Sequence, residues 1–239
     1  MHENMVICLP FAGAGASFFR AWQPLAPDSL RVVAVQLAGR EERFVDEPHA
    51  DVASAVDDVL PAVLEQIDGA GRIALFGHSL GAVLAFELAR RLDRLGGLPL
   101  ARLFVSGSPG PWSGRVSRAT GLSDDAFLAQ LHRFSGYSHP ALDHPEMRAM
   151  LLPMLRADVE MHENYRPGTD RPLPIPVTAL RGQDDELVSA GQAGQWADAS
   201  TAGFRSVELP GGHMYLADQA GEVLRLLAGD LAAVGEGRA

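Results

Sequence analysis

One serine of this chain stands in a setting that suits a nucleophile. Residues 77–81 read Gly-His-Ser-Leu-Gly, directly after an apolar run typical of a buried strand and directly before a helical pattern. A serine on such a turn takes a strained backbone conformation and presents its hydroxyl beside the amides of a helix N-terminus. A Gly-rich turn with an incidental serine would have the same sequence, so the motif alone does not decide. The strand and helix patterns on either side favour Ser79 as an acyl-transfer nucleophile. The Leu80 N–H is then expected to donate to the oxyanion.

A histidine near the end of the chain stands in a loop that suits a general base. His213 follows two glycines, directly after the strand-like residues 204–209. In serine hydrolases with a strand–turn–helix nucleophile, the chain order is Ser, then Asp or Glu, then His. A surface loop histidine is the alternative, and the preceding serine motif favours the base.

An acidic pair lies between the serine and this histidine, in the loop after another strand pattern. Residues 176–180 are apolar and β-branched, and they lead through Gly182 into Asp184 and Asp185. Open α/β sheets collect their functional groups at the carboxyl ends of the strands. Asp185, three residues beyond Gly182, is the preferred acid, and Asp184 is then a solvated or turn-capping carboxylate.

The loop after the first strand pattern supplies small residues where a second oxyanion donor is needed. Residues 10–16 read Pro-Phe-Ala-Gly-Ala-Gly-Ala, and small side chains let backbone amides converge on an anion. Residues 13–15 also match part of the dinucleotide-binding fingerprint, but position 18 is Phe and no acidic residue ends the next strand. Nucleotide binding is therefore not favoured.

Four segments of the chain resemble the type II thioesterases, which are stand-alone α/β-hydrolases that accompany polyketide synthases and nonribosomal peptide synthetases. The resemblance covers essentially the whole chain, including a middle segment similar to the family's lid. The four segments are residues 9–13 (Leu-Pro-Phe-Ala-Gly), 35–43 (Val-Gln-Leu-Ala-Gly-Arg-Glu-Glu-Arg), 77–81 and 210–213 (Pro-Gly-Gly-His).

The resemblance implies both a catalytic site and a substrate. Ser79, Asp185 and His213 would form the triad, and the backbone amides of Ala12 and Leu80 would form the oxyanion hole. The substrate would be an acyl group on the phosphopantetheine arm of an acyl or peptidyl carrier protein, removed as an editing step. No metal and no organic cofactor is implied.

Two positions depart from the family's pattern. Phe11 stands where many members carry His, and Ala38 stands where the loop usually has Pro. Neither touches the triad. Phe11 borders the expected acyl site, so its identity bears on which acyl groups are accepted.

The alternation of strand and helix patterns predicts an α/β-hydrolase fold, with a mainly parallel sheet and helices on both faces. The clearest helix spans residues 52–67, and Pro61 is expected to bend it or shift its start. Pro153 predicts two shorter helices in place of one. The predicted strands are residues 5–9, 31–36, 72–76, 102–106, 176–181 and 204–209.

A helical insertion interrupts this alternation at about residues 107–170, the usual position of a lid. Met147, Met150 and Met154, followed by Met161, share one face of a helix within it. Such a stripe more commonly packs a lid onto the body of an enzyme. Alternatively, its flexible thioethers form a wall that accommodates acyl chains of varied shape.

Composition fits a single cytoplasmic domain over residues 1–239, because no linker or repeat divides the chain. The single cysteine, Cys8, excludes an internal disulfide and suits a reducing compartment. No apolar stretch is long enough to span a bilayer, and the N-terminus lacks the basic residues of a signal peptide. The histidine spacing gives no zinc signature, so no metal is expected.

The net charge of −10 argues against nucleic acid as a partner. It also means that an acidic carrier protein would have to dock on a local basic cluster. Arg40, Arg43, Arg148 and Arg156 are the candidates, and a solvated surface arginine is the alternative for each of them.

Ser, Asp and His in this order indicate serine hydrolase chemistry without distinguishing a thioester from an oxygen ester. A chain-releasing thioesterase or a general carboxylesterase is therefore the alternative enzyme. A hydrolase-like binding protein without turnover is the alternative of a different class, and the intact triad argues against it.

Overall fold

A six-stranded parallel sheet organises the chain. The computed structural model describes residues 4–114, 118–135 and 140–233. The strands are β1 (Asn4–Leu9), β2 (Leu30–Ala34), β3 (Arg72–His78), β4 (Leu100–Ser106), β5 (Val177–Gly182) and β6 (Phe204–Leu209). They pair in the order β2-β1-β3-β4-β5-β6, and each of these pairings is parallel. All six predicted strands are present, with limits that differ by at most two residues.

Helices connect the strands and cover the sheet. They are α1 (Ala16–Arg20), α2 (Val52–Ile67), α3 (Leu80–Leu95), α4 (Asp124–Ser135), α5 (Pro145–Asn164), α6 (Ala190–Gly194) and α7 (Ala220–Ala233). Short 3₁₀ segments lie at Gln23–Leu25, Glu41–Arg43, Pro140–Asp143, Gln195–Ala199 and Tyr215–Ala217. In the described part of the chain, no helix is long and apolar enough to cross a membrane.

Two apolar layers, one on each face of the sheet, form the core. Alternate residues of a strand point to opposite faces, so Leu75 of β3 packs with α2 and α3, whereas Phe76 packs with α1 and α7. Burying a side chain of this size stabilises the fold by about 1.5–3 kcal/mol. The arrangement confirms the predicted α/β class, with helices on both faces.

The helical insertion at residues 107–170 contains α4 and α5, which lie between β4 and β5. The prediction that Pro153 splits the helix of the methionine stripe into two shorter helices is wrong, because α5 runs without interruption from Pro145 to Asn164. Pro153 lies on the exposed face, as does Ala149, whose carbonyl the proline leaves without its helical partner. Water can satisfy that carbonyl, so the helix continues.

Helix α2 tolerates its internal proline in the same way. It starts at Val52, and the side chain of Asp51 caps it by accepting a hydrogen bond of 2.9 Å from the Ser54 N–H. Pro61 therefore does not shift its start. Pro61 is also exposed, and the buried face of the helix packs on the sheet.

Replacing Pro153 by Ala is expected to raise the free energy of unfolding by about 1–2 kcal/mol. Alanine is about 3 kcal/mol better than proline inside a helix, and part of that gain is offset by the greater entropy of the unfolded chain. Pro61→Ala in α2 is the matched variant and should behave alike. Chemical denaturation measures both, and a loss of stability in Pro153→Ala alone would show that the ring itself contributes packing in α5.

Candidate active site

The predicted nucleophile lies at the turn between β3 and α3. Ser79 has φ +53° and ψ −114°, a left-handed conformation that costs a non-glycine residue about 1–3 kcal/mol. The Ser79 N–H donates to the Ser106 carbonyl at 2.8 Å, which fixes the turn to β4. A Cβ on Gly77 would collide with the backbone of Gly81, and a Cβ on Gly81 would collide with the Leu9 carbonyl. Both flanking glycines are therefore required by close backbone packing.

The loop after β1 lies beside this turn. A Cβ on Gly81 would also lie only 3.0 Å from the Pro10 carbonyl oxygen, so the first turn of α3 packs on the start of the loop. Leu80, the first residue of α3, is fully buried. Ala12 lies in the same loop, where the Ala14 N–H donates to the Phe11 carbonyl at 3.0 Å. The two predicted oxyanion-hole segments are thus neighbours.

The predicted base and acid are in direct contact. His213 Nδ1 lies 2.9 Å from Asp185 Oδ2, and both residues are buried, with 8% and 5% of their surface exposed. The other carboxylate oxygen accepts the N–H groups of Leu187 at 2.8 Å and Val188 at 3.1 Å. Asp184 is exposed, and its N–H donates to the Gly211 carbonyl at 2.9 Å. Of the adjacent pair, Asp185 is the residue in contact with His213.

The pKa of the Asp185 carboxyl lies below its ordinary value. Burial alone would raise this pKa, but the hydrogen bond and charge of His213 and the two backbone N–H donors outweigh burial. Asp185 is therefore ionised at neutral pH. An ionised carboxylate accepts only, so the His213 Nδ1 atom carries the proton and leaves Nε2 free to act as a base.

An arginine that the sequence analysis did not select holds the acid loop in place. Arg181, at the end of β5, is buried and donates to the carbonyls of Gln183 at 3.3 Å, Asp185 at 3.2 Å and Val188 at 3.0 Å. It also pairs with Glu208 of β6. The sequence signal that could have indicated this role is the position of Arg181, a charged residue at the end of an apolar strand and shortly before the acidic pair.

A second buried network lies beneath His213. The centre of the His78 ring lies 4.7 Å from that of the His213 ring, with the two planes tilted by 50°, and His78 Nδ1 lies 2.9 Å from the Ser106 hydroxyl. That hydroxyl lies 2.7 Å from the Tyr215 hydroxyl. Burial raises the pKa of Tyr215, whose hydroxyl therefore remains protonated. A Cβ on Gly107 would lie 2.5 Å from the His78 ring and 3.0 Å from the His213 ring, so glycine is required there as well.

The residues predicted to contact the acyl group fall in two places. The Phe11 ring meets the His78 ring edge-to-face at 5.8 Å and so lies next to the serine turn. Met154 is buried in α5, whereas Met147 and Met150, which lie nearer the start of the helix, are exposed. The methionine stripe is therefore exposed at one end of the helix and buried at the other.

The four arginines considered for carrier docking all have acidic partners. Arg43 pairs with Asp46 and Asp58, Arg148 with Asp125, and Arg156 with Asp124. Arg40 is buried against Asp158, so the expectation that it lies on a docking surface is wrong.

Comparison with known proteins identifies the family of this chain. The family model described as the thioesterase domain matches residues 4–231. The thioesterase PikA5 of Streptomyces venezuelae is 36% identical over 91% of this chain and 77% of its own length. Two solved structures are similar over nearly all of both chains.

The first of these structures is the type II thioesterase BorB from the borrelidin biosynthetic cluster. It is 34% identical over 96% of this chain and 93% of its own, with a TM-score of 0.85. The second is YbtT, a type II thioesterase of the yersiniabactin pathway, which is 28% identical over 98% and 94%, with a TM-score of 0.86. The family model covers residues 4–231, and the parallel sheet with its strained serine turn and buried His–Asp pair fits that family. This chain therefore belongs to the thioesterase family of α/β-hydrolases.

Proposed function

We propose that this protein hydrolyses acyl groups from the phosphopantetheine arm of acyl or peptidyl carrier proteins, as an editing enzyme of polyketide or nonribosomal peptide synthesis. The observation that carries the proposal is the buried His213–Asp185 pair in a chain of the thioesterase family. The His213 ring lies 4.7 Å from the ring of His78, the residue that precedes the strained Ser79. The similar protein BorB is described as a type II thioesterase of the borrelidin biosynthetic cluster, and YbtT as a type II thioesterase of the yersiniabactin NRPS/PKS pathway. Residues 1–239 act as one domain, and the single buried Cys8 suits a reducing cytoplasm.

The reaction proceeds by two acyl transfers. His213 Nε2 takes the proton of the Ser79 hydroxyl, and the serine oxygen attacks the thioester carbonyl. The Ala12 and Leu80 amides stabilise the oxyanion, while Asp185 holds the His213 tautomer and stabilises its protonated form. The phosphopantetheine thiolate leaves, taking up the proton from His213. Water, activated by the same histidine, then releases the acid and regenerates Ser79.

Thioester and oxygen-ester hydrolysis require the same triad, so the substrate class needs a direct comparison. Hydrolysis of an acyl carrier protein thioester should exceed that of an oxygen ester with the same acyl group, measured as kcat/KM. A preference for the oxygen ester would favour a general carboxylesterase. Exclusive action on a full-length product thioester would favour a chain-releasing enzyme.

Ser79→Ala and His213→Ala should each remove nearly all turnover, and the double variant should be no worse than either single variant. Members of a triad act as a unit, so their losses do not add. Steady-state kinetics with an acyl carrier protein thioester measures this, and circular dichroism checks the fold. A double variant that is a thousandfold slower than both single variants would contradict the shared mechanism.

Asp185→Asn should lower kcat by about 10⁴-fold, the loss typical of an orienting triad carboxylate, because the amide no longer fixes the productive His213 tautomer. Asp184→Asn, a matched change one residue away at an exposed position, should have little effect. The comparison is made at neutral pH, where the lowered pKa keeps Asp185 ionised in the native enzyme. The opposite ranking would assign the role to Asp184.

The proposed acyl-binding residues are Phe11, Met147, Met150 and Met154. Replacing Met150 or Met154 by Ile should narrow the range of acyl chains hydrolysed, because a β-branched side chain adapts less readily than a thioether. Near-isosteric apolar changes cost less than about 1.5 kcal/mol, so both variants should fold. A hydrolysis profile over short, branched and long acyl thioesters, paired with Tm, tests this. An unchanged profile with a lowered Tm would show that the stripe only packs the insertion.

A further inference from the structure

A buried ion pair joins the helical insertion to the loop that follows β2. The guanidinium of Arg40 binds Asp158 of α5 through two contacts, Nη1 to Oδ2 at 2.6 Å and Nη2 to Oδ1 at 2.7 Å. Asp158 is 0% exposed and Arg40 is 5% exposed. A bidentate pair of this kind has one well-defined geometry, which fixes α5 relative to the residues that follow β2.

The same carboxylate also holds the loop after β1. Asp158 Oδ2 accepts the Gly13 N–H at 2.8 Å, and Arg40 Nη1 donates to the Ala14 carbonyl at 3.2 Å. A Cβ on Gly13 would lie 2.9 Å from Leu155 of α5, so the helix passes directly over this loop. The loop is therefore held by polar contacts on two successive residues and is covered by the helix.

These contacts determine where the Ala12 N–H points. The Phe11 carbonyl and the Ala12 N–H belong to one planar trans peptide and point in opposite directions. The Ala14 N–H holds that carbonyl at 3.0 Å, and Ala14 is held in turn by Arg40. On the other side of Ala12, Asp158 holds the Gly13 N–H. Both peptide planes that flank the Ala12 α-carbon are thus fixed.

We propose that Asp158 and Arg40 are positioning residues for the oxyanion hole. They align the Ala12 amide through their hydrogen bonds to Gly13 and Ala14. The alignment therefore depends on the position of α5, which carries Asp158. The inference rests on the proposed function, since it assigns Ala12 a role in hydrolysis. Apolar packing acts in the same direction, because Ala12 also contacts the cluster of Ala119, Phe127, Leu152 and Val159. Displacing α5 must either break the Arg40–Asp158 ion pair or move the loop after β1 that carries Ala12.

The test is Asp158→Asn, which keeps the shape of the side chain and removes its charge. Removing an oxyanion donor outright costs about 10²–10³-fold in kcat, so a donor that is present but misaligned should cost about tenfold. KM for the acyl carrier protein thioester should change less than about twofold, since a transition-state interaction is lost. Inhibition by an alkyl trifluoromethyl ketone, whose tetrahedral adduct needs the oxyanion hole, should weaken in parallel with kcat.

Glu163→Gln is the matched control on the same helix. Glu163 is also a buried carboxylate that accepts backbone N–H groups, from Ala119 at 2.5 Å and Thr120 at 3.1 Å, but these lie outside the loop after β1. It should leave kcat and ketone inhibition unchanged even where it lowers Tm. Equal loss of kcat in both variants, or unchanged kcat in Asp158→Asn, would overturn the proposal.

Arg40→Lys provides a second variant should Asp158→Asn fail to fold. Lysine keeps the positive charge but lacks the planar fork, so kcat should fall by about threefold, less than for Asp158→Asn. Unchanged kcat in folded Arg40→Lys would also count against the proposal. Should the native protein hydrolyse no thioester, the proposed function fails, and the rate at which a fluorophosphonate labels Ser79 in each variant decides the positioning role instead. Absence of labelling in the native protein would overturn both.

Discussion

Close backbone contact between the first turn of α3 and the end of β1 is the constraint on which the site depends. Gly81 leaves no room for a side chain against the Leu9 carbonyl, and Gly77 leaves none against Gly81. This packing, together with the bond from the Ser79 N–H to Ser106, holds Ser79 in a conformation that it would not adopt alone. Because β1, β3 and β4 are adjacent in the sheet, the strained turn and the loop after β1 are positioned by the same contact.

Buried charges near the site are each matched by partners from more than one element. Asp185 is held by His213 and by two backbone amides, and Arg181 fixes the carbonyls of the same loop. Arg40 and Asp158 form a buried ion pair that holds the loop after β1. Removing one member of such a pair leaves an uncompensated buried charge, which costs about 3–5 kcal/mol. The loop that carries Asp185 and the loop after β1 are therefore held with little freedom.

The parts of the site that depend on local patterns were predictable from the sequence. A strand, a Gly-x-Ser-x-Gly turn and a helix are encoded by neighbouring residues, and so are the loops that carry Asp185 and His213. The contact between Arg40 and Asp158 was not predictable, because it joins residues 118 positions apart. The contact between the His78 and His213 rings and the hydrogen bond between Ser106 and Tyr215 are equally non-local. Pro153 misled the prediction because sequence does not reveal that its helical face meets solvent.

The contact of Gly81 with Leu9 also has a consequence for folding kinetics. It joins two residues that are far apart in the chain, and it depends on the parallel pairing of β1 with β3. That pairing closes a long loop, and the entropic cost of closure must be met before the contacts between the strands can offset it. The turn at Ser79 can be held under strain only after that pairing is complete. During refolding, recovery of hydrolysis should therefore follow the recovery of helical signal.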